Sequence, residues 1–209
     1  MSRRCSSTHL FSRNEKRVFC EIINVVKTLI NIIVAILKAI PEIINNIKKM
    51  IKINKAMEGV GYSYPQILNM IDKITPRQFE IFCAELFKGT GKYTKVEITQ
   101  QTCDMGRDII LTSKINGYEE ITFVEVKHYN KDGFQIGREI CQKLLGSCVT
   151  FNVGKAIIIT TGTYHKNAYE VAGRVNNLQL MDIADIQNMI LNMKPEQISR
   201  VILRTQNAS

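Results

Sequence analysis

Two runs of β-forming residues flank an Asn116-Gly117 pair, and this constrains the chain's fold more than any other feature. The first is Ile109-Ile110-Leu111-Thr112 and the second Ile121-Thr122-Phe123-Val124-Glu125-Val126-Lys127. Asn-Gly between β runs predicts a hairpin. Alternation along the second run puts Glu125 and Lys127 on one face. Asp108 opens the first strand while Glu125 and Lys127 lie near the far end of its antiparallel partner, so the three meet at one end of the hairpin.

Two carboxylates and an ammonium so placed suit hydrolysis of a phosphodiester. Carboxylate oxygens are the ligands Mg²⁺ prefers, and that ion keeps positions open for water and a phosphate oxygen. An ammonium beside it can hold the attacking water and stabilise negative charge growing on the phosphorane. The competing account of Asp108 is a turn acid, and that of Glu125 and Lys127 a solvated edge-strand face. Phe123, Val124 and Val126 argue for a buried strand instead, where charges need a partner or a metal.

Asp108, a hairpin and then Glu125-Val126-Lys127 resemble the PD-(D/E)xK nuclease core, and the wider context resembles its Mrr-like restriction endonuclease branch. Upstream, the run from Pro76 to Phe87 resembles that branch's opening helix with its Phe79-Glu80 pair, and Asp104-Met105-Gly106-Arg107-Asp108 its Asp-x-Gly-x-Asp loop. Downstream, Ile157 to Thr161, Thr163 and Ala168 resemble its Ile-Thr-Thr strand and following helix. Cys103 departs from the family's usual Gly, and His128 from its usual Arg after the lysine. The resemblance implies an α/β, restriction-endonuclease-like three-layer core with a mixed central sheet. It implies catalysis by Asp108, Glu125, Lys127 and Glu80, with Mg²⁺ (Mn²⁺ as a substitute) held by Asp108, Glu125 and the Val126 carbonyl. It implies cleavage of double-stranded DNA, in restriction or defence, with His128, Lys131, Thr161 and Thr163 as DNA contacts. Thr160 joins the other threonines as a candidate hydroxyl contact to phosphate, with a strand-end turn as the competing account of all three and packing as that of His128. A Holliday-junction resolvase, a membrane-anchored nuclease and a non-catalytic DNA-binding module are the alternatives.

The net charge of +9 agrees with a polyanionic partner. Six cysteines without a Cys-x-x-Cys pair argue against structural zinc and for a reducing, cytoplasmic setting.

From Ile23 to Ile51 apolar residues recur at heptad spacing: Ile23, Val26, Ile30, Ile33, Leu37, Ile40, Ile44, Ile47 and Ile51. A polar stripe of Asn24, Thr28, Asn31, Lys38, Glu42, Asn45, Lys49 and Lys52 runs opposite, interrupted by Ala35. The pattern predicts an amphipathic or coiled-coil helix. Pro41 is expected to kink or split it near residue 40. Self-association as a homodimer or higher homo-oligomer is the expected use of the apolar seam. Membrane association is the rival, opposed by the short uncharged stretch from Thr28 to Leu37. The organisation expected is a basic disordered arm (1–17), the amphipathic helical region (18–58), a linker (59–75), the nuclease domain (76–194) and a polar tail (195–209). Within the domain, helices are expected at 77–88, 134–150, 165–176 and 183–192, and strands at 94–100, 108–114, 120–127, 155–160 and 178–181. The hairpin strands should pair antiparallel and the later ones, reached through helical crossovers, parallel.

Overall fold

The computed structural model describes residues 13–58, 61–100, 106–129 and 134–208. Much of the basic arm, the loop containing Cys103 and Asp104, and Lys131 lie outside the described residues. The chain divides into two units, Met1–Ile51 and Lys52–Ser209.

The first unit carries most of one long helix, α1 (Arg13–Met57). It runs through Pro41 as a single helix, where the sequence suggested two pieces. Proline removes one intrahelical N–H bond, and the bonds on either side of it keep the helix continuous.

The second unit contains α2 (Tyr64–Lys73), α3 (Pro76–Gly89), β1 (Lys95–Ile98), β2 (Ile109–Ile115), β3 (Tyr118–Lys127) and β4 (Gln135–Ile136), then α4 (Arg138–Thr150) and β5 (Lys155–Thr160). β6 (Thr163–Tyr164), α5 (Lys166–Arg174), β7 (Leu178–Met181), α6 (Ile183–Leu191) and α7 (Pro195–Gln206) complete it. The main sheet has the order β1-β2-β3-β5-β7. β1, β2 and β3 pair antiparallel, and β5 and β7 continue the sheet parallel to β3. The mixed sheet agrees with the sequence reading. Asn116 and Gly117 both take positive φ in the β2–β3 turn, the backbone that this dipeptide favours.

Alternation divides the core between the two sheet faces. Ile109, Leu111, Val124, Val126, Ile157 and Ile159 pack with residues of α2, α3, α6 and α7, whereas Phe123, Ala156, Ile158 and Leu178 pack with α4 and α5. The sheet is thus sandwiched by helices. Four segments differ from the sequence reading. The stretch read as a linker contains α2, which buries Tyr64, Ile67 and Ile71. The stretch read as a tail contains α7, which buries Ile198, Val201, Ile202 and Thr205. Their polar residues mask a one-sided apolar stripe that only the partner helices make useful. The helix expected at 134–150 starts at Arg138, because Gln135–Ile136 pair with Thr163–Tyr164 as a small parallel sheet, and the helix expected at 165–176 runs from Lys166 to Arg174, with His165 as its N-cap.

Candidate active site

The geometry of Asp108 follows from the hairpin register. Ile109 faces Val124, so Asp108 falls one step further along, beside Glu125. Its backbone N–H donates to the Val124 carbonyl at 2.7 Å, and its Oδ2 accepts the Val126 N–H at 2.6 Å. A bond of this kind from backbone to carboxylate holds the acid in place without another side chain.

Glu125 and Lys127 share a face, as the period of two requires, and Lys127 Nζ lies 2.5 Å from Glu125 Oε1. Glu125 is 2% exposed and Asp108 7%. The other carboxylate oxygen, Glu125 Oε2, is buried without a hydrogen-bond partner. A buried carboxylate oxygen left open in this way is costly unless a cation meets it, so the donor set fits a hard divalent ion. Mg²⁺ needs only one or two carboxylates and keeps several waters. Among the described residues, no trio of His, Cys, Asp or Glu converges on one metal position.

Burial raises Asp108 first and the Glu125 charge raises it further, against the lowering effects of the Val126 N–H and Lys127, so that its carboxyl titrates at about 7. Desolvation lowers Lys127, but the hydrogen bond and charge of Glu125 outweigh it and leave the ammonium above its ordinary value. The lysine therefore stays protonated.

Glu80, on α3, is bound by Arg77 Nη1 at 2.6 Å, and that same nitrogen donates to the Thr99 carbonyl at 3.1 Å. Its charge still reaches Asp108, whose proton it favours. Glu80 thus borders the acid pair while paired elsewhere. Val126, between Glu125 and Lys127, spends its N–H on Asp108.

The sequence-derived DNA contacts have mixed placements. His128 stacks on Phe79 with ring centroids 4.8 Å apart, and its Nδ1 and Nε2 lie 3.1 Å from Thr161 Oγ1 and the Ile74 carbonyl. Burial lowers its basicity. Thr161 Oγ1 also accepts the Tyr129 N–H at 2.9 Å. Both residues tie the end of β3 to its surroundings. Thr160 is fully buried and its hydroxyl donates to the Lys127 carbonyl at 2.8 Å, which makes it a support for the lysine's backbone rather than a phosphate donor. Thr163 is exposed on β6.

Arg107 is the residue that sequence reasoning missed. Its guanidinium lies over the rings of Phe123 and Phe151, 4.7 and 4.0 Å from their centroids. Its carbonyl accepts the Thr99 hydroxyl at 2.8 Å. Cation–π attraction on one side and this hydrogen bond on the other fix the backbone next to Asp108. Only its adjacency to Asp108 marked it, because Phe151 is remote in sequence. Gly106, just before it, has a φ of +79°, and a Cβ there would come within 2.7 Å of Lys143 Cε. The lysine stem can move aside, so it is the positive φ that favours glycine here.

A buried acid pair and lysine at the end of a hairpin, in a mixed sheet between helices, define a nuclease domain of the PD-(D/E)xK type. The Mrr catalytic-domain model, described as restriction endonuclease, matches residues 71–190, and the chain belongs to that family. An uncharacterized protein, y4cE, of Sinorhizobium fredii (strain NBRC 101917 / NGR234) is 30% identical over 100 residues, covering 48% of this chain and 25% of that protein. The chain therefore spans about a quarter of that relative's length. Among solved structures, the DNA modification-dependent restriction endonuclease AspBHI superposes with a TM-score of 0.53 at 18% identity, covering 73% of this chain and 43% of that one. The MspJI restriction endonuclease, solved with a 27-mer oligonucleotide, gives 0.52 at 12% identity, over 68% and 34% of the two chains. At these identities the superpositions establish the fold.

Proposed function

We propose that the protein is a Mg²⁺-dependent endonuclease that hydrolyses phosphodiester bonds of double-stranded DNA, acting in the cytoplasm in restriction or defence. The observation that carries this reading is the buried, unpartnered Glu125 Oε2 beside Asp108, with the Lys127 ammonium held next to both. Asp108 and Glu125, with the Val126 carbonyl, would hold the ion. When bound, such an ion polarises the phosphate and lowers the pKa of a coordinated water.

The chain's own residues do the rest. Glu125 holds the Lys127 ammonium at one place, where its remaining N–H donors can orient the attacking water and meet charge developing on the phosphorane oxygens. The Val126 N–H and the clamped Arg107 keep Asp108 from drifting, so the acids are organised before substrate arrives. Glu80 belongs to the same proposal as a neighbouring carboxylate that tunes Asp108. Two copies acting together would present one such site to each strand of a duplex.

The test is cleavage of methylated and unmethylated plasmid with Mg²⁺, Mn²⁺ or EDTA, comparing wild type with Asp108→Ala and Lys127→Ala. Cutting that needs the metal and is lost in both variants supports the reading. Cutting that survives EDTA, or survives Asp108→Ala, overturns it.

A further inference from the structure

We infer that α1 crosses a lipid bilayer, between about Ile23 and Glu42, and so anchors the nuclease domain to a membrane. The breadth of its apolar surface comes first. At 3.6 residues per turn, Asn24, Lys27, Thr28, Asn31, Lys38, Glu42, Asn45 and Asn46 fall within about one third of the circumference. From Ile22 to Ile47 the other two thirds carry Ile, Leu and Val with Ala39 and Pro41, and the large apolar side chains among them stand exposed, Ile33 at 54% and Leu37 at 59%. A two-stranded coiled coil buries only its a and d positions. An arc this wide would leave Val25, Leu29, Ile32, Ile36 and Ile43 in water along one flank of the seam.

Length and charge favour the bilayer over a second copy. The helical stretch Glu21–Lys52 reaches a mean hydropathy of 2.0, which is high for a helix that only lies in the headgroup plane. The twenty positions from Ile23 to Glu42 rise about 30 Å, the thickness of a hydrocarbon core. Lys27 and Lys38 are the lysines inside that span. With the bilayer centred between them, each sits about 8 Å from the midplane, and their long stems carry the ammonium groups toward opposite headgroup layers. Thr28, on the polar arc, spends its hydroxyl on the Asn24 carbonyl at 2.9 Å. Beyond Pro41 the character changes. Lys48, Lys49, Lys52 and Lys55 follow with no acid between Glu42 and Glu58, a run that suits anionic headgroups.

The test uses the full chain reconstituted with vesicles of phosphatidylcholine, with and without phosphatidylglycerol, and separated by flotation before and after an alkaline carbonate wash. The protein is expected to float with both vesicle types and to stay with them through the wash. Ile33→Asp puts a charge near the midplane and should lower the vesicle-bound to free ratio by about 100-fold, whereas Ile33→Leu should leave it unchanged. The thermal unfolding of the nuclease domain should be the same in all three proteins, which separates loss of anchoring from loss of folding. Three results would each overturn the inference: a protein that remains in the soluble fraction, one released by carbonate, and one that forms a soluble oligomer through α1. None of these readouts involves cleavage, so the nuclease reading stands or falls separately.

Discussion

The nuclease sheet and the N-terminal helix use the same residues, isoleucine above all, to opposite ends. Ile158 and Ile159, in the centre of the sheet, are fully buried, while Ile33 and Ile36 on α1 stand more than half exposed. The difference lies in what each segment can bury against. At the centre of the sheet, neighbouring strands and two helix layers close over the apolar positions, and the few charges admitted, Asp108 and Glu125, are tied to a backbone N–H and to Lys127. On α1 the apolar arc is wider than one helical neighbour can cover. Apolar content therefore says that a surface will be hidden, and topology says by what.

The sharpest way to break this contrast is at the charges inside the core. Asp108→Ala should lower the rate of plasmid cleavage on the order of 10³-fold, since a metal ligand supplies several kcal/mol of transition-state stabilisation. A variant that retains wild-type cleavage kinetics would mean that the buried acid is structural. Next comes the packing. Phe79 is fully buried and stacks on His128, so Phe79→Ala should cost about 3–5 kcal/mol in denaturant unfolding, while Ile33→Ala on α1 should move the same transition by no more than about 0.5 kcal/mol. Equal losses from the two would erase the distinction between the regions.

Protonation provides a subtler probe. Asp108 titrates near 7 in the folded chain, above its ordinary range, so between about pH 4 and 7 the folded state holds a proton that the unfolded state has released. Without metal, stability should fall as pH rises through that window, and Asp108→Asn should flatten the slope. Added Mg²⁺ should raise the unfolding midpoint more at pH 8 than at pH 6, because metal ligands bind deprotonated. Identical slopes for wild type and Asp108→Asn in the absence of metal would rule out this titration. The smallest effect is expected in the turn that sets the hairpin register. Gly117 has a φ of +86°, and Gly117→Ala should cost about 1 kcal/mol of unfolding free energy, with cleavage retained.

Much of the site is legible in the sequence. The Asn116-Gly117 turn, the alternation of β3 and the unbroken apolar run of β5 are local patterns, and local patterns decide strand, register and face. Asp108, Glu125 and Lys127 come together as that register demands. The connection types were readable too, because a strand reached through a helix returns parallel. Segments whose meaning depends on a distant partner were not. α7 reads as a polar tail until Ile198, Val201 and Ile202 meet α3, where Gln197 Nε2 also donates to the Gly89 carbonyl at 2.9 Å. His128 and Thr161 read equally well as DNA contacts or as packing and turn residues until the fold brings Ile74 and Tyr129 to them.

By itself, then, the sequence determined the hairpin, its register, the side on which the acids and the lysine fall, and the helical, one-sided apolar character of the N-terminal segment, because each of these follows from periodicity within one or two neighbouring segments. The tertiary structure alone decided that Glu125 keeps one carboxylate oxygen open in the core, that Arg77 reaches the Thr99 carbonyl, and that Phe151 closes over Arg107 beside Asp108. Those are meetings between residues far apart in the chain. They depend on where the sheet and helices place atoms to within an ångström, and no one-dimensional pattern encodes that distance.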